Sequence, residues 1–402
     1  MKMTVTLILL PLLALTTFTA PVVRAQGGER TTFQQVQKVF ASDNEYERRF
    51  RPRLRSVAGW LDDGRRRLPR RIRAGSSAGA AYVYTRAVPS GNWTEVAKLM
   101  ASDKQAGDYF GWSVSTSADG STVVVGAPFE DTGGQWAGAA YVFTRGGAGG
   151  STSYTEVAKV QASDKQARDL FGWSVSTSAD GSTVFVGAPD EDTGGSMAGA
   201  AYVFTRGGGG GSGSYTEVAK LQASDKQAND YFGISVSTSA DGSTVTQVAK
   251  LQASDKQAGD YFGWSVSTSA DGSTVVVGAP EEDTGGQWAG AAYVFTRGGG
   301  GGSGSYTEVA KLQASDKQAR DLFGWSVSTS ADGSTVVVGA YAHYYNAMGG
   351  ATYVFTRGGG ASGGSSYTQV AKLQASDKQA YDRLRLLGIS FQRRTNDRRR
   401  RA

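Results

Sequence analysis

Three acidic pairs recur at corresponding positions of the chain: Glu130-Asp131, Glu191-Asp192 and Glu282-Asp283. Two carboxylates facing each other across a cleft can hydrolyse a glycosidic bond, and several together can ligate a hard cation through oxygen. Adjacent residues of one loop diverge instead of facing, so the pairs read first as turn residues. Weak cation binding with Asp103 or Asp108 is the second reading. Other catalytic sets lack their residues. The chain has no Cys and a single His, His343, which leaves no material for zinc sites or for Cys- or His-based triads. Gly-rich tracts such as Gly207 to Gly213 lack the Lys-Ser/Thr ending and the helix of a phosphate cradle. The expectation is a protein that is not an enzyme, with no catalytic residues, no metal and no cofactor. Trp136 and Trp288 lie in the acidic loops, where a ring can stack on a sugar or clamp a partner. Trp136, Trp288, Glu130, Asp131, Glu282 and Asp283 are therefore the candidate ligand-binding residues.

Those loops belong to a repeat. Phe-Gly, an apolar residue and Ser-Val-Ser-Thr-Ser-Ala-Asp-Gly-Ser-Thr-Val occur together five times, starting at Phe110, Phe171, Phe232, Phe262 and Phe323. The steps are 61, 61, 30 and 61 residues, so one unit has lost 31. At the loss, Ser243-Thr244-Val245 runs directly into Thr246-Gln247-Val248-Ala249-Lys250. A complete unit reads as four strands. Phe110 to Ser117 alternates, with Phe110, Trp112 and Val114 expected on one face. Asp119-Gly120 signals a type I′ hairpin with both residues at positive φ. Thr122 to Ala127 is apolar throughout, as in a strand covered on both faces, and Pro128 ends it. Gly138 to Thr144 and Tyr154 to Val160 supply the third and fourth strands. Trp112, Trp173, Trp264 and Trp325, on the first strands, are expected to pack between repeats.

A four-stranded antiparallel meander that must stack on copies of itself is a propeller blade. The fold expected is an all-β propeller of up to seven blades, one truncated. An open β repeat array is the alternative. Fourth-strand sequences centre on Val36-Gln37-Lys38, Val96, Val157, Val218, Val248, Val309 and Val370, and pairing of the two chain ends would close the ring.

The flanks differ from the repeats. Residues 1–25 read as a signal peptide: Lys2, an apolar run from Val5 to Leu15, and Val23-Arg24-Ala25 before Gln26. Residues 26–45 hold an outer-strand remnant, 79–381 the repeats, and 46–78 and 382–402 two Arg-rich segments. Residues 46–73 and 382–402 carry +8 and +6 of a formal net +6, so the remaining chain carries −8. The Arg-rich segments interrupt recognisable repeat sequence and lack aromatics interleaved on a folded scaffold, so they read as shifted reading frames and not as a nucleic-acid surface. No segment beyond the leader is long and apolar enough to span a membrane as a helix. Asn92-Trp93-Thr94 is a glycosylation sequon. Location is expected to be secreted or at the cell surface.

The motifs resemble the FG-GAP repeat. Phe110-Gly111 precedes Val125-Gly126-Ala127-Pro128, and the match recurs at Phe171-Gly172 with Gly187-Ala188-Pro189 and at Phe262-Gly263 with Gly278-Ala279-Pro280. At Phe323-Gly324 the later element is Gly339-Ala340-Tyr341, and at Phe232-Gly233 it is missing. The resemblance, to the secreted microbial and algal branch of that family, implies a propeller like the integrin α-chain head. It also implies an extracellular role in binding or adhesion, with a protein or a glycan as partner. A wall or surface repeat protein without a discrete ligand is the alternative. The family's calcium loop between strands one and two is not carried over. The corresponding segment here, Ser117-Ala118-Asp119-Gly120-Ser121, holds one carboxylate, too few for calcium's six to eight oxygens.

Overall fold

The chain is described from a computed structural model, which covers residues 77–85, 94–146, 153–207, 213–242, 249–298, 305–341, 350–358 and 366–374, together with the backbone of three N-terminal strands. His343, Asn92, nearly all of 46–78, and 382–402 lie outside the described residues. Ring closure through the chain ends involves undescribed residues as well.

Near the N-terminus, β1 (Leu7–Leu9), β2 (Leu15–Thr19) and β3 (Gln34–Val39) precede β4 (Ala81–Thr85) and β5 (Thr94–Leu99). The expected remnant fourth strand, Val36-Gln37-Lys38, lies in β3 and pairs with β2. A first complete blade follows: β6 (Ser113–Thr116), β7 (Thr122–Ala127), β8 (Ala139–Arg145) and β9 (Tyr154–Val160). The second is β10 (Ser174–Thr177), β11 (Thr183–Ala188), β12 (Ala200–Arg206) and β13 (Tyr215–Leu221). The third is β14 (Ser265–Thr268), β15 (Thr274–Ala279), β16 (Ala291–Arg297) and β17 (Tyr306–Leu312). The fourth is β18 (Phe323–Thr329), β19 (Thr335–Ala340), β20 (Ala351–Arg357) and β21 (Tyr367–Leu373). Each blade is an antiparallel sheet in chain order, so the molecule is built of β-propeller blades.

β7 is buried at all six positions, the result expected of a β-branched strand covered on both faces. The first strand is shorter than the alternation suggested. Tyr109 and Gly111 have φ of 53° and 93°, which breaks the extended run until Ser113. Phe110 and Trp112 therefore diverge. Phe110 packs on Tyr141 and Phe143 of its own blade, at 5.4 and 5.9 Å between ring centres, while Trp112 meets Trp173 of the next blade at 4.8 Å. The hairpin after β6 also differs from type I′. Only Gly120 is left-handed, with φ 68°. The Gly120 amide donates to the Ser117 carbonyl at 3.0 Å, and Asp119 Oδ1 accepts from the Ser121 amide and the Ser117 hydroxyl at 2.8 Å. The Asp side chain thus holds the turn, an alternative to a positive φ at its own backbone.

Blades join through the Phe-Gly turns. Gly138 bridges Phe171, Gly199 bridges Phe232 and Gly290 bridges Phe323. The hairpin turns add a second chain of bonds, each about 2.8–2.9 Å: Ala118 donates to Ala179, Ala179 to Ala240, Ala240 to Ala270 and Ala270 to Ala331. Between these seams, side chains of adjoining blades form one core, as where Val124, Ala140 and Val142 meet Phe171, Val184 and Tyr202.

Candidate functional site

The acidic loop after Ala127-Pro128 splits its carboxylate pair. Glu130 is buried and Asp131 is exposed, so the solvated-turn reading holds for one residue and fails for the other. Charge burial needs a partner, and Glu130 has several. Its Oε1 accepts from Lys159 Nζ at 3.0 Å, the Thr132 amide at 2.9 Å and the Thr132 hydroxyl, while Oε2 accepts from Gln161 Nε2 at 3.1 Å. Lys159 also donates to Asp103 Oδ2 at 2.6 Å, and Asp103 Oδ1 accepts from the Tyr141 hydroxyl at 2.8 Å. Burial pulls the Lys159 ammonium down, but its bonds to Asp103 and Glu130 outweigh this and leave its pKa above the ordinary value.

The same arrangement recurs at Glu191 with Lys220 and Asp164, and at Glu282 with Lys311 and Asp255. Burial raises the Glu191 carboxyl, yet hydrogen bonds from Lys220 and Thr193 bring it below its usual range. Sequence reasoning missed the lysine, although it stands 29 residues after the glutamate each time (Glu130/Lys159, Glu191/Lys220, Glu282/Lys311). Glu130 and Glu282 are thus internal ion-pair partners.

Asp131 and Asp283 shape the loop. Asp131 Oδ1 accepts from the Trp136 amide at 2.8 Å, and Asp283 Oδ1 from the Trp288 amide at 2.7 Å. Both tryptophans sit at positive φ, 60° and 58°. That strained backbone presents their carbonyls to the next unit, where Leu170 and Leu322 donate to them at 3.1 and 3.0 Å. The Arg168 and Arg320 guanidinium groups lie 5.9 and 5.7 Å from the indole centres. Trp136 and Trp288 therefore fasten consecutive units as cation–π clasps.

A second set of aromatics surrounds the Phe-Gly turns. Phe129 lies 5.2 Å from Tyr109, 5.8 Å from Trp112 and 6.2 Å from Trp136 between ring centres. Trp112 continues the row to Trp173. All five rings are half-buried, so each keeps part of its surface in solvent. A matching row joins Tyr261, Trp264, Trp325 and Tyr341, with centres 6.2 Å apart for the first pair and 4.8 Å for the others. The first row gains a ring at Phe129, which stands where the second and third blades carry Asp190 and Glu281. Sequence reasoning did not single out Phe129; its departure from the repeat was the available signal.

In the same unit, Asp108 is buried with its Oδ2 accepting from the Gln105 amide at 2.6 Å. Its counterpart Asp169 has a pKa raised to about 6, chiefly by burial and further by Glu191, Asp164 and Asp192. Among the described residues, no group of three or more His, Cys, Asp or Glu is placed to hold a metal ion, and no helix is long and apolar enough to cross a membrane.

Solved structures similar to this chain include the β-propeller domain of Cps50 (Swd1) from Myceliophteria thermophila, at 10% identity and a TM-score of 0.45, covering 75% of this chain and 82% of that one. Hydrazine synthase from Kuenenia stuttgartiensis matches at 13% identity and 0.38, covering 70% and 74%. Likenesses this distant carry no argument about chemistry. No curated protein matches the chain. The FG-GAP repeat matches residues 93–143, 154–204, 215–246, 245–295 and 306–355, more than half of the sequence. With its Phe-Gly turns at the blade seams and its Gly-Ala-Pro elements closing the second strands, the chain belongs to the FG-GAP repeat family.

Proposed function

We propose that this FG-GAP repeat propeller is a secreted, non-catalytic binding or adhesion module that recognises an extracellular glycan or protein. The observation that carries the reading is the row Trp136–Phe129–Tyr109–Trp112–Trp173, a half-exposed aromatic strip beside the exposed Asp131 carboxylate. Flat aromatic faces with an adjacent hydrogen-bond acceptor suit the apolar face and hydroxyls of a sugar, or an aromatic-seeking protein loop. Catalysis has no support from the acidic loops, because Glu130 is neutralised by Lys159. The test is a glycan array and an extracellular-protein panel with the purified chain. Specific binding that Phe129→Ser abolishes, with unchanged melting, supports the proposal; no binding on either panel refutes it. Secretion is tested separately: protein collected from the medium should begin at Gln26, and an intact Met1 would overturn the leader reading.

The alternative, a surface or wall repeat protein without a discrete ligand, is favoured by one observation. Trp136 and Trp288 each stack with an arginine of the next unit and serve cohesion of the array. On that reading, substituting both lowers the melting temperature and alters no binding.

A further inference from the structure

Among the complete blades, the third alone sets a carboxylate against a tyrosine beside its Phe-Gly turn. Glu281 stands where the first blade carries Phe129, and Tyr261 stands where it carries Tyr109. By sequence, the second blade has Asp190 with Leu170 at these positions, and the fourth has Ala342 with Leu322. The rings around the position keep their geometry. Tyr261 meets Trp264 edge-on at 6.2 Å, as Tyr109 meets Trp112. In the first blade Phe129 fills this frame, 5.2 Å from Tyr109 and 5.8 Å from Trp112 between centres. In the third, the Glu281 amide donates to the Asp260 carbonyl at 3.4 Å, which holds Glu281 beside Tyr261. A carboxylate thus takes the place of a ring among rings.

Its neighbours in the acidic loop are satisfied. Glu282 pairs with Lys311 at 2.7 Å, and Asp283 accepts from the Trp288 amide at the same distance. Glu281 differs. Burial, and after it the Asp283 charge, raises its pKa to about 6, and no donor or cation among the described residues brings it down. Burial, the Glu281 carboxylate and Tyr231 together push up the Tyr261 hydroxyl. The position reaches solvent: Tyr261 is 42% exposed, and Glu281 and Trp264 are half-buried.

We propose that Glu281, Tyr261 and Trp264 form a binding site for an organic cation of the alkylammonium class. The carboxylate supplies the counter-charge, and the ring faces supply cation–π attraction. The protein builds the same combination internally three times. Lys159 Nζ is bonded to Glu130 at 3.0 Å and lies 5.6 Å from the Tyr141 ring centre. Lys220 repeats this with Glu191 and Tyr202, and Lys311 with Glu282 and Tyr293. A hard metal ion is a poor match, because it takes about six oxygens and this site offers one carboxylate. The site uses no residue of the first-blade row, so it stands whether or not that row binds a glycan or a protein.

The test titrates the full chain with choline at about pH 8, where Glu281 is ionised. Calorimetry should show saturable one-to-one binding in the millimolar range, the strength expected of a half-exposed cation–π site. Dimethylbutanol, the neutral carbon isostere of choline, should bind at least about tenfold more weakly. Glu281→Gln should weaken choline to a similar degree without lowering the melting temperature, because it removes a half-buried charge that has no partner. Tyr261→Leu, the residue of the second and fourth blades, should weaken it as well. Phe129→Ser should leave choline binding unchanged, which separates this site from the first-blade row. A trimethyllysine peptide distinguishes the sources of the ammonium: tighter binding than choline assigns a partner protein's side chain, and weaker binding a free amine. The proposal is overturned if choline does not saturate, if dimethylbutanol binds equally well, if Glu281→Gln leaves choline binding intact, or if Phe129→Ser abolishes it.

Discussion

At the scale of single residues, the repeated ion pair is the strongest commitment the chain makes. Glu130 is almost wholly removed from water, and Lys159 is its only charged partner among the described contacts. Removing one member of a buried pair leaves an uncompensated charge, which costs on the order of 3 kcal/mol. Lys159→Met should therefore lower stability by about that amount in urea unfolding, and adding Glu130→Gln should recover much of the loss. Asp169 makes a pH-dependent contribution of opposite character. Its folded-state pKa of about 6 lies above the ordinary 3.8, so the folded state holds the proton more tightly. The associated stability is full below about pH 4 and is lost as pH rises through 6, roughly 3 kcal/mol in all. Asp169→Asn should flatten the dependence across that window, as read from the pH profiles of the two unfolding free energies. Thr352 is a third case. It is fully buried, and its hydroxyl has no hydrogen-bond partner among the described residues, where the other blades carry Ala140, Ala201 and Ala292. Thr352→Ala should raise stability by about 1 kcal/mol, because an unmet buried hydroxyl is removed; thermal unfolding measures it.

At the scale of elements, the Phe-Gly turn couples one blade to the next, and glycine is required there for two separable reasons. Gly172 has φ 92°, and a Cβ on it would lie 2.3 Å from the Ala139 carbonyl oxygen. Gly263 has φ 99° and open space. Gly263→Ala should then cost only the backbone term, about 1 kcal/mol, while Gly172→Ala adds a steric clash and should cost clearly more. Equal losses in parallel denaturation curves would remove the distinction between the two seams. The strand pattern itself is legible in the amino-acid sequence. β7 and β9 fall at the boundaries expected from it, because their β-branched and alternating residues and the flanking Pro128 act locally. The start of β6 is not legible there, since the positive φ at Tyr109 is imposed by contacts from the neighbouring unit, including its amide bond to the Ser77 carbonyl at 3.1 Å.

At the scale of the whole molecule, the array divides at the shortened unit. Repeat arrays are stabilised by each unit and by its contacts with neighbours, so the weakest seam limits cooperativity. Among the described residues, the core on the near side of the third blade gathers Leu251 and Ala253 from the preceding unit against Val277, Tyr293 and Phe295. The corresponding core between the first two blades draws on both. Denaturation followed by tryptophan fluorescence should show two transitions, one reported by Trp112 and Trp173 and the other by Trp264 and Trp325. Completing the unit by inserting a copy of residues 124–154 after Val245 should merge them. A single transition in the natural chain would show that the bonds through Ala240 suffice to couple the halves.

The repeat, its 61-residue step, its four strands per blade and the place of the 31-residue loss are all written in the amino-acid sequence, because each rests on local pattern: period-two alternation, Asp-Gly turns, and Pro after Gly-Ala. The roles of the candidate site residues are set by tertiary structure instead. Glu130 and Asp131 are neighbours in sequence, yet one turns inward to Lys159 and the other outward to hold the Trp136 amide. Trp136 and Trp288 read as exposed loop rings until the next unit places Arg168 and Arg320 against them. Those partners lie about thirty residues away along the chain, on strands and links that meet only when blades stack. Burial and pairing at that range are properties of the assembled array, which local pattern does not encode.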